Sequence, residues 1–181
     1  MHNCRSFRII DYMKTKPFLI LFLFIILILF GCSKDNNSPV LDGVITDCPV
    51  NRTCTYDYYE NADFNLFKPV SGNFTVFWYS STNSLLCNSI TSIYVKVPAS
   101  IAYSSSFVIN SSQIAAGQQV GYDFSCDCCY YVGGVKPIGG LIKGKKDGPV
   151  RWLINAKIIL SSPNKSVDTL IVNQYFTLKP R

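Results

Sequence analysis

Alternation of apolar and polar positions dominates the chain from about residue 45 onward. Val150, Trp152, Ile154, Ala156, Ile158 and Leu160 mark one face of a strand, with Arg151, Asn155 and Lys157 opposite. Leu170, Val172, Phe176 and Leu178 line a final strand, with Thr169, Asn173, Tyr175 and Thr177 outward. Gln174 falls on the inward face, where it needs a hydrogen-bond partner. Ile93, Val95 and Val97 alternate with Ser92, Tyr94 and Lys96, and Pro98 closes that segment. In Asn73–Ser80, Phe74, Val76 and Trp78 share one face while Thr75, Phe77 and Tyr79 share the other. Both of those faces are apolar, which predicts a central strand or one beneath a loop. Further strands are predicted over Arg52–Tyr59, Phe107–Asn110 and Gln118–Cys126, with a short helical turn or loop at Gln113–Gly117.

Ser161–Val167 and Lys146-Asp147-Gly148-Pro149 read as turns, and Tyr130–Gly140 as a glycine-rich loop. No segment has a helical period. Seven to nine strands at short spacing predict an all-β domain, first an immunoglobulin-like β-sandwich and alternatively a lipocalin-like β-barrel.

The N-terminal quarter breaks this pattern. Phe18–Phe30 is an unbroken apolar run of thirteen residues, preceded by Lys14 and Lys16. At about 1.5 Å per residue it reaches only about 20 Å, short of the roughly 30 Å of a bilayer core. That length suits the hydrophobic region of a signal peptide. The closing Leu29-Phe30-Gly31-Cys32 resembles a bacterial lipobox. The resemblance implies cleavage before Cys32, acylation of Cys32, and a mature chain anchored by lipid. Ser33-Lys34-Asp35-Asn36-Asn37 is similar to the tether of Bacteroidota lipoproteins, which implies attachment to the outer membrane on its periplasmic or surface face. The organisation expected is therefore a signal peptide over 1–31, starting at Met1 or Met13. A lipidated Cys and flexible tether follow over 32–44, then a β domain over 45–181.

Removing residues 1–31 changes the inventory. The lone histidine, His2, and both methionines leave with it. So do Arg5, Arg8, Lys14, Lys16 and Asp11, which lowers the net charge from +6 to +3. That surplus lacks the dense basic field of a nucleic-acid binder. Without an imidazole, Ser-His-Asp and Cys-His catalysis and His-ligated zinc are excluded from the mature part. The reading is non-enzymatic, with no cofactor.

Six cysteines remain beyond Cys32: Cys48, Cys54, Cys87, Cys126, Cys128 and Cys129. An even number in an exported domain reads as disulfides. Neighbouring Cα atoms about 3.8 Å apart are too close for an ordinary bridge, so Cys128 and Cys129 are expected to bond different partners. Cys48, Cys54 and Cys87 are the expected partners of the Cys126–Cys129 cluster. The alternative is a thiol or metal site built on that cluster.

Tyr56–Phe67 holds two further possibilities. Asp57, Glu60 and Asp63, with Asn61 and Asn65, are candidate oxygen ligands for a hard cation. Asp57 and Glu60 are also the carboxylates a glycan hydrolase would use, if about 5–9.5 Å apart in a cleft. Otherwise the stretch is a solvated loop. Tyr56, Tyr58, Tyr59, Trp78 and Tyr79 are candidate platforms for a sugar or peptide, and equally candidate core. Lys143, Lys145 and Lys146 read as a solvated hairpin tip with weak attraction to anionic headgroups. Asp168-Thr169-Leu170 resembles the tripeptide that Bacteroidota glycosylate on exported proteins, which implies modification of Thr169. Together these features describe an envelope lipoprotein whose β domain acts as a binding or structural accessory module. Its partners would be the membrane and a glycan, peptide or envelope protein.

Overall fold

The computed structural model describes residues 44–65, 68–102, 105–128, 134–164 and 166–180. The signal peptide, Cys32, the tether up to residue 43, and Cys129 lie outside the described residues. The fold is all-β. Its strands are β1 (Arg52–Asn65), β2 (Lys68–Ser71), β3 (Phe74–Asn83), β4 (Ser89–Pro98), β5 (Ser106–Ile109), β6 (Val120–Ser125), β7 (Lys136–Lys146), β8 (Arg151–Ser161) and β9 (Val167–Leu178). Two helical turns interrupt them, α1 (Ala99–Ala102) and α2 (Ser111–Ala115).

The strands form one hydrogen-bonded sheet in the order β5-β7-β8-β9-β1-β3-β4-β6, with β2 paired to β1. Neighbours are antiparallel except β1 and β9, which run parallel through Asp57↔Thr177 and Tyr58↔Leu178. The sheet is curled. Its curvature is visible in the core: Phe77 on β3 sits 5.4 Å from Phe107 on β5 and 5.5 Å from Trp152 on β8, ring centre to ring centre. Neither β5 nor β8 neighbours β3 in the strand order. On β8 the inward positions read from the alternation are buried, with Trp152, Ile154 and Ile158 each 1 % exposed, except Val150, which precedes the strand and is 51 % exposed.

β3 is central and packs on both faces. Phe77 and Tyr79 join the inner core. Val76, with Phe74 and Trp78, joins a second cluster on the outer face with Tyr59, Ala62, Phe64 and Tyr94. α2 is fixed by a capping box in which Asn110 accepts from the Gln113 backbone while Gln113 reciprocates.

Two segments depart from the alternation. The strand predicted over Arg52–Tyr59 continues to Asn65 in place of a solvated loop, because a bulge between Tyr59 and Ala62, with Asn61 at φ 51°, bends β1 and lets it pair with β2. Lys143 and Lys145 lie within β7, not at a hairpin tip. That strand begins early because a bulge at Pro137/Gly139, with Gly140 at φ 124°, keeps the glycine-rich stretch in register with β8. Asn173, outward by alternation, is nonetheless buried. The chain just before β1 covers it: Thr46 N–H donates to the Asn173 carbonyl (2.8 Å), and the Asn173 amide donates to the Val44 carbonyl (3.0 Å). Gln174 finds its inward partner in the Thr46 carbonyl at 3.3 Å.

Candidate ligand-binding depression

The five candidate aromatic platforms divide between the two faces of β1 and β3 and present no common surface. Tyr56, Tyr58 and Tyr79 pack into the inner core; Tyr59 and Trp78 belong to the outer cluster. Tyr58, Tyr59 and Tyr79 are buried. Burial pushes the phenols of Tyr56, Tyr58 and Tyr59 up, so they stay protonated. The Tyr58 hydroxyl and the Trp78 indole N–H have no hydrogen-bond partner among the described residues.

The three candidate acids are likewise dispersed. Asp63 accepts from the Phe64 backbone (2.7 Å) and from Lys96 (3.1 Å). The backbone bond first, and the ammonium second, hold its carboxyl below the ordinary range. Asp57 lies on an outward position of β1, 3.8 Å from Lys179. Burial raises its carboxyl, and Lys179 opposes that shift. Glu60 is exposed at the bulge. No group of three or more His, Cys, Asp or Glu side chains suited to a metal occurs among the described residues.

Every cysteine among the described residues is in a disulfide. Cys87 bonds Cys128, tying the β3–β4 turn to the end of β6. Cys48 and Cys54 bond each other instead of reaching the Cys126–Cys129 cluster. The turn at Pro49–Asn51, closed by Arg52 N–H to the Pro49 carbonyl (3.1 Å) and by Asn51 at φ 62°, brings their Cα atoms to 5.7 Å. Cys126 is oxidised too, and its sulfur lies 4.0 Å from the Leu86 carbonyl. A thiolate site on this cluster therefore finds no free thiol among the described residues. Thr169 is exposed on β9, its N–H bonded to the Asp168 carboxylate at 2.7 Å.

Among the described residues the inner core leaves little space. A gap bounded by Phe77, Ile93, Ile154 and Phe176 among others measures about 10 Å³, at the lower limit for one water, and is apolar. An open depression of about 390 Å³ lies at the surface instead, lined by Glu60, Val150, Leu178, Lys179 and Pro180. The parallel pairing of β1 with β9 builds it. Lys179 N–H donates to the Tyr58 carbonyl and Leu178 N–H to the Val150 carbonyl, each at 2.9 Å. These bonds bring the last residues of β9 beside the β1 bulge that carries Glu60. The volume falls in the range of small-ligand sites. Its lining offers apolar walls, one carboxylate and one ammonium, a set that pairs with a peptide's amine and carboxylate and with its amide groups. Asp57 does not line it, so the two carboxylates of glycosidase chemistry do not share this depression. Of these lining residues the sequence marks only Glu60 as a candidate ligand, while Val150 and Leu178 read as inward strand positions; nothing in a linear pattern announces that β9 ends beside β1. Comparison with protein-family models, with curated proteins and with solved structures finds no match to this chain.

Proposed function

We propose that this chain is an envelope lipoprotein, anchored by acylated Cys32 to the outer membrane, whose β domain is a binding module for a peptide-bearing envelope component. Support for the anchor is the order of charge, thirteen-residue apolar run, small residue and Cys at residues 14–32. The Cys48–Cys54 and Cys87–Cys128 bridges suit the oxidising side of a membrane. We favour barrel-like over sandwich architecture, because the strands follow a single hydrogen-bonded path.

The observation that carries the binding reading is the open depression beside Glu60 and Lys179, far larger than the apolar gap of about 10 Å³ between Phe77 and Phe176. Recognition then belongs to the surface, and the mixed charges of the depression favour a peptide over a neutral sugar. Titration with a disaccharide-tetrapeptide of cell-wall type, followed by NMR of the oxidised protein, tests it. Saturable shifts at Glu60 and Lys179 are expected, weakened at least tenfold by Glu60→Gln with Lys179→Met. Shifts absent, or unchanged in that variant, would remove the reading.

A further inference from the structure

We propose that the outward face of β7, β8 and β9 is a docking surface for an anionic lipid bilayer. The strand register builds this face. Lys143 lies opposite Asn155, which lies opposite Asn173. In the next row Leu141, Lys157 and Ile171 are aligned across the same three strands. Lys145 follows Lys143 by two residues and so shares its face. Direct cross-strand neighbours stand about 5 Å apart and diagonal ones about 7–8 Å. Three ammonium groups therefore sit in one patch around two apolar side chains, Leu141 at 40 % and Ile171 at 60 % exposure.

Charge is segregated between the two halves of the sheet. The outward positions of β7, β8 and β9 carry no carboxylate; Arg151, at their margin, pairs with Asp147 in the adjoining turn. The opposite half has Asp57 and Asp123 on outward positions, and Asp63 against Lys96. Among the described residues, Lys143, Lys145 and Lys157 thus give this face a cationic surplus. Cations ringing exposed aliphatic side chains match a headgroup layer: lysine stems lie along the apolar surface while their ammonium groups meet phosphates.

The point of chain entry supplies the second argument. The outward-pointing Asn173 amide holds the Val44 carbonyl, so the chain enters the domain beside this face. Only eleven residues separate Val44 from Cys32. Covalent geometry limits that connection to at most about 40 Å. The direction of approach rests on the anchorage proposed above. The chemistry of the face does not.

The experiment uses the full chain purified from membranes and reconstituted into vesicles, either 3:1 phosphatidylethanolamine:phosphatidylglycerol or phosphatidylcholine alone. Lysine acylation is then read by mass spectrometry. Labelling of Lys143, Lys145 and Lys157 is expected to fall at least fivefold on the anionic vesicles, with Lys68 and Lys96 unchanged. Raising the salt from about 0.05 to about 0.5 M, which shortens electrostatic reach from about 14 Å to about 4 Å, should abolish the protection. Lys143→Glu with Lys157→Glu should abolish protection of Lys145 without lowering the unfolding temperature. Equal labelling on both vesicles overturns the proposal, as does protection that survives high salt, which would indicate a second copy of this chain on this face. The mass of the Cys32 peptide from the same sample reports the anchor separately. An unacylated peptide overturns the anchorage reading and leaves the footprint contrast to decide the docking face.

Discussion

Phe107 on β5 lays its ring over Gly144, its cross-strand partner on β7. Tyr94 on β4 does the same over Gly121 on β6. β5 and β6 are the two ends of the sheet path, so each edge strand is held by an aromatic ring packed where its partner, or the edge itself, has no side chain. A Cβ at Gly144 would overlap the Phe107 ring at Cε1 and Cζ. Gly144→Ala should therefore destabilise by about 1–3 kcal/mol, the usual cost of overpacking. Adding Phe107→Leu should recover part of that loss. Urea unfolding measures both, and an unchanged midpoint for Gly144→Ala would show that the edge does not depend on this contact.

Phe77 is the hub of the inner core. Its ring meets Trp152 edge-on at 5.5 Å and 72°, and meets Phe176 at 5.9 Å and 82°. These contacts join the two halves of the curled sheet across the core. Phe77→Ala and Trp152→Ala should each cost about 3–5 kcal/mol. Because the rings touch, the double variant should lose less than the sum of the singles. Strict additivity in a denaturant cycle would mean that the two halves are not coupled through these rings.

What the linear pattern conveys and what it hides follow from local against non-local cause. β8 and β9 are legible because their alternation reports a single buried face, and Trp152, Ile154 and Phe176 are buried accordingly. β3 is legible as central because both its faces are apolar. The continuation of β1 past Tyr59 is hidden, since a bulge at Asn61 breaks the period of two. β7 is hidden by its glycines, which read as loop until Phe107 and Ser111 are seen to occupy the space they leave. The depression is not legible at all. Glu60 and Lys179 are brought near one another only by the parallel β1–β9 pairing, a contact between the two ends of the domain.

The two bridges defined among the described residues should differ in weight. Cys87 and Cys128 are 41 residues apart, Cys48 and Cys54 only 6. Chain-entropy arguments give about 4 kcal/mol for the long closure and about 2 kcal/mol for the short one. Replacing Cys87 and Cys128 by Ser should therefore lower the unfolding midpoint more than the same change at Cys48 and Cys54. Paired urea curves under non-reducing conditions check the order, and a reversed order would show that native-state contacts outweigh loop closure here.

Acid should first strengthen the fold and then weaken it. Burial raises the carboxyls of Asp57 and Asp123 above their ordinary value of about 3.9 in the unfolded chain. At neutral pH the folded state thus holds two carboxylates it disfavours. As pH falls through those raised values toward about 3.9, the folded state takes up protons before the unfolded chain does, and stability rises. Asp63 has the opposite sign. Its carboxyl is lowered by the Phe64 N–H and by Lys96, so its contribution is present above about 3.9 and is lost as pH falls through the lower folded value. The two windows meet near the ordinary Asp value, where these three groups together favour the fold most. Asp57→Asn separates them. Burial outweighs the pull of Lys179 at Asp57, and an ion pair to a half-exposed lysine contributes little. The variant should therefore be more stable than the parent at pH 7 and indistinguishable from it at about pH 3. Urea midpoints at the two pH values decide the matter. A variant weaker at pH 7 and equal at pH 3 would show that the Lys179 contact, not burial, governs this carboxylate.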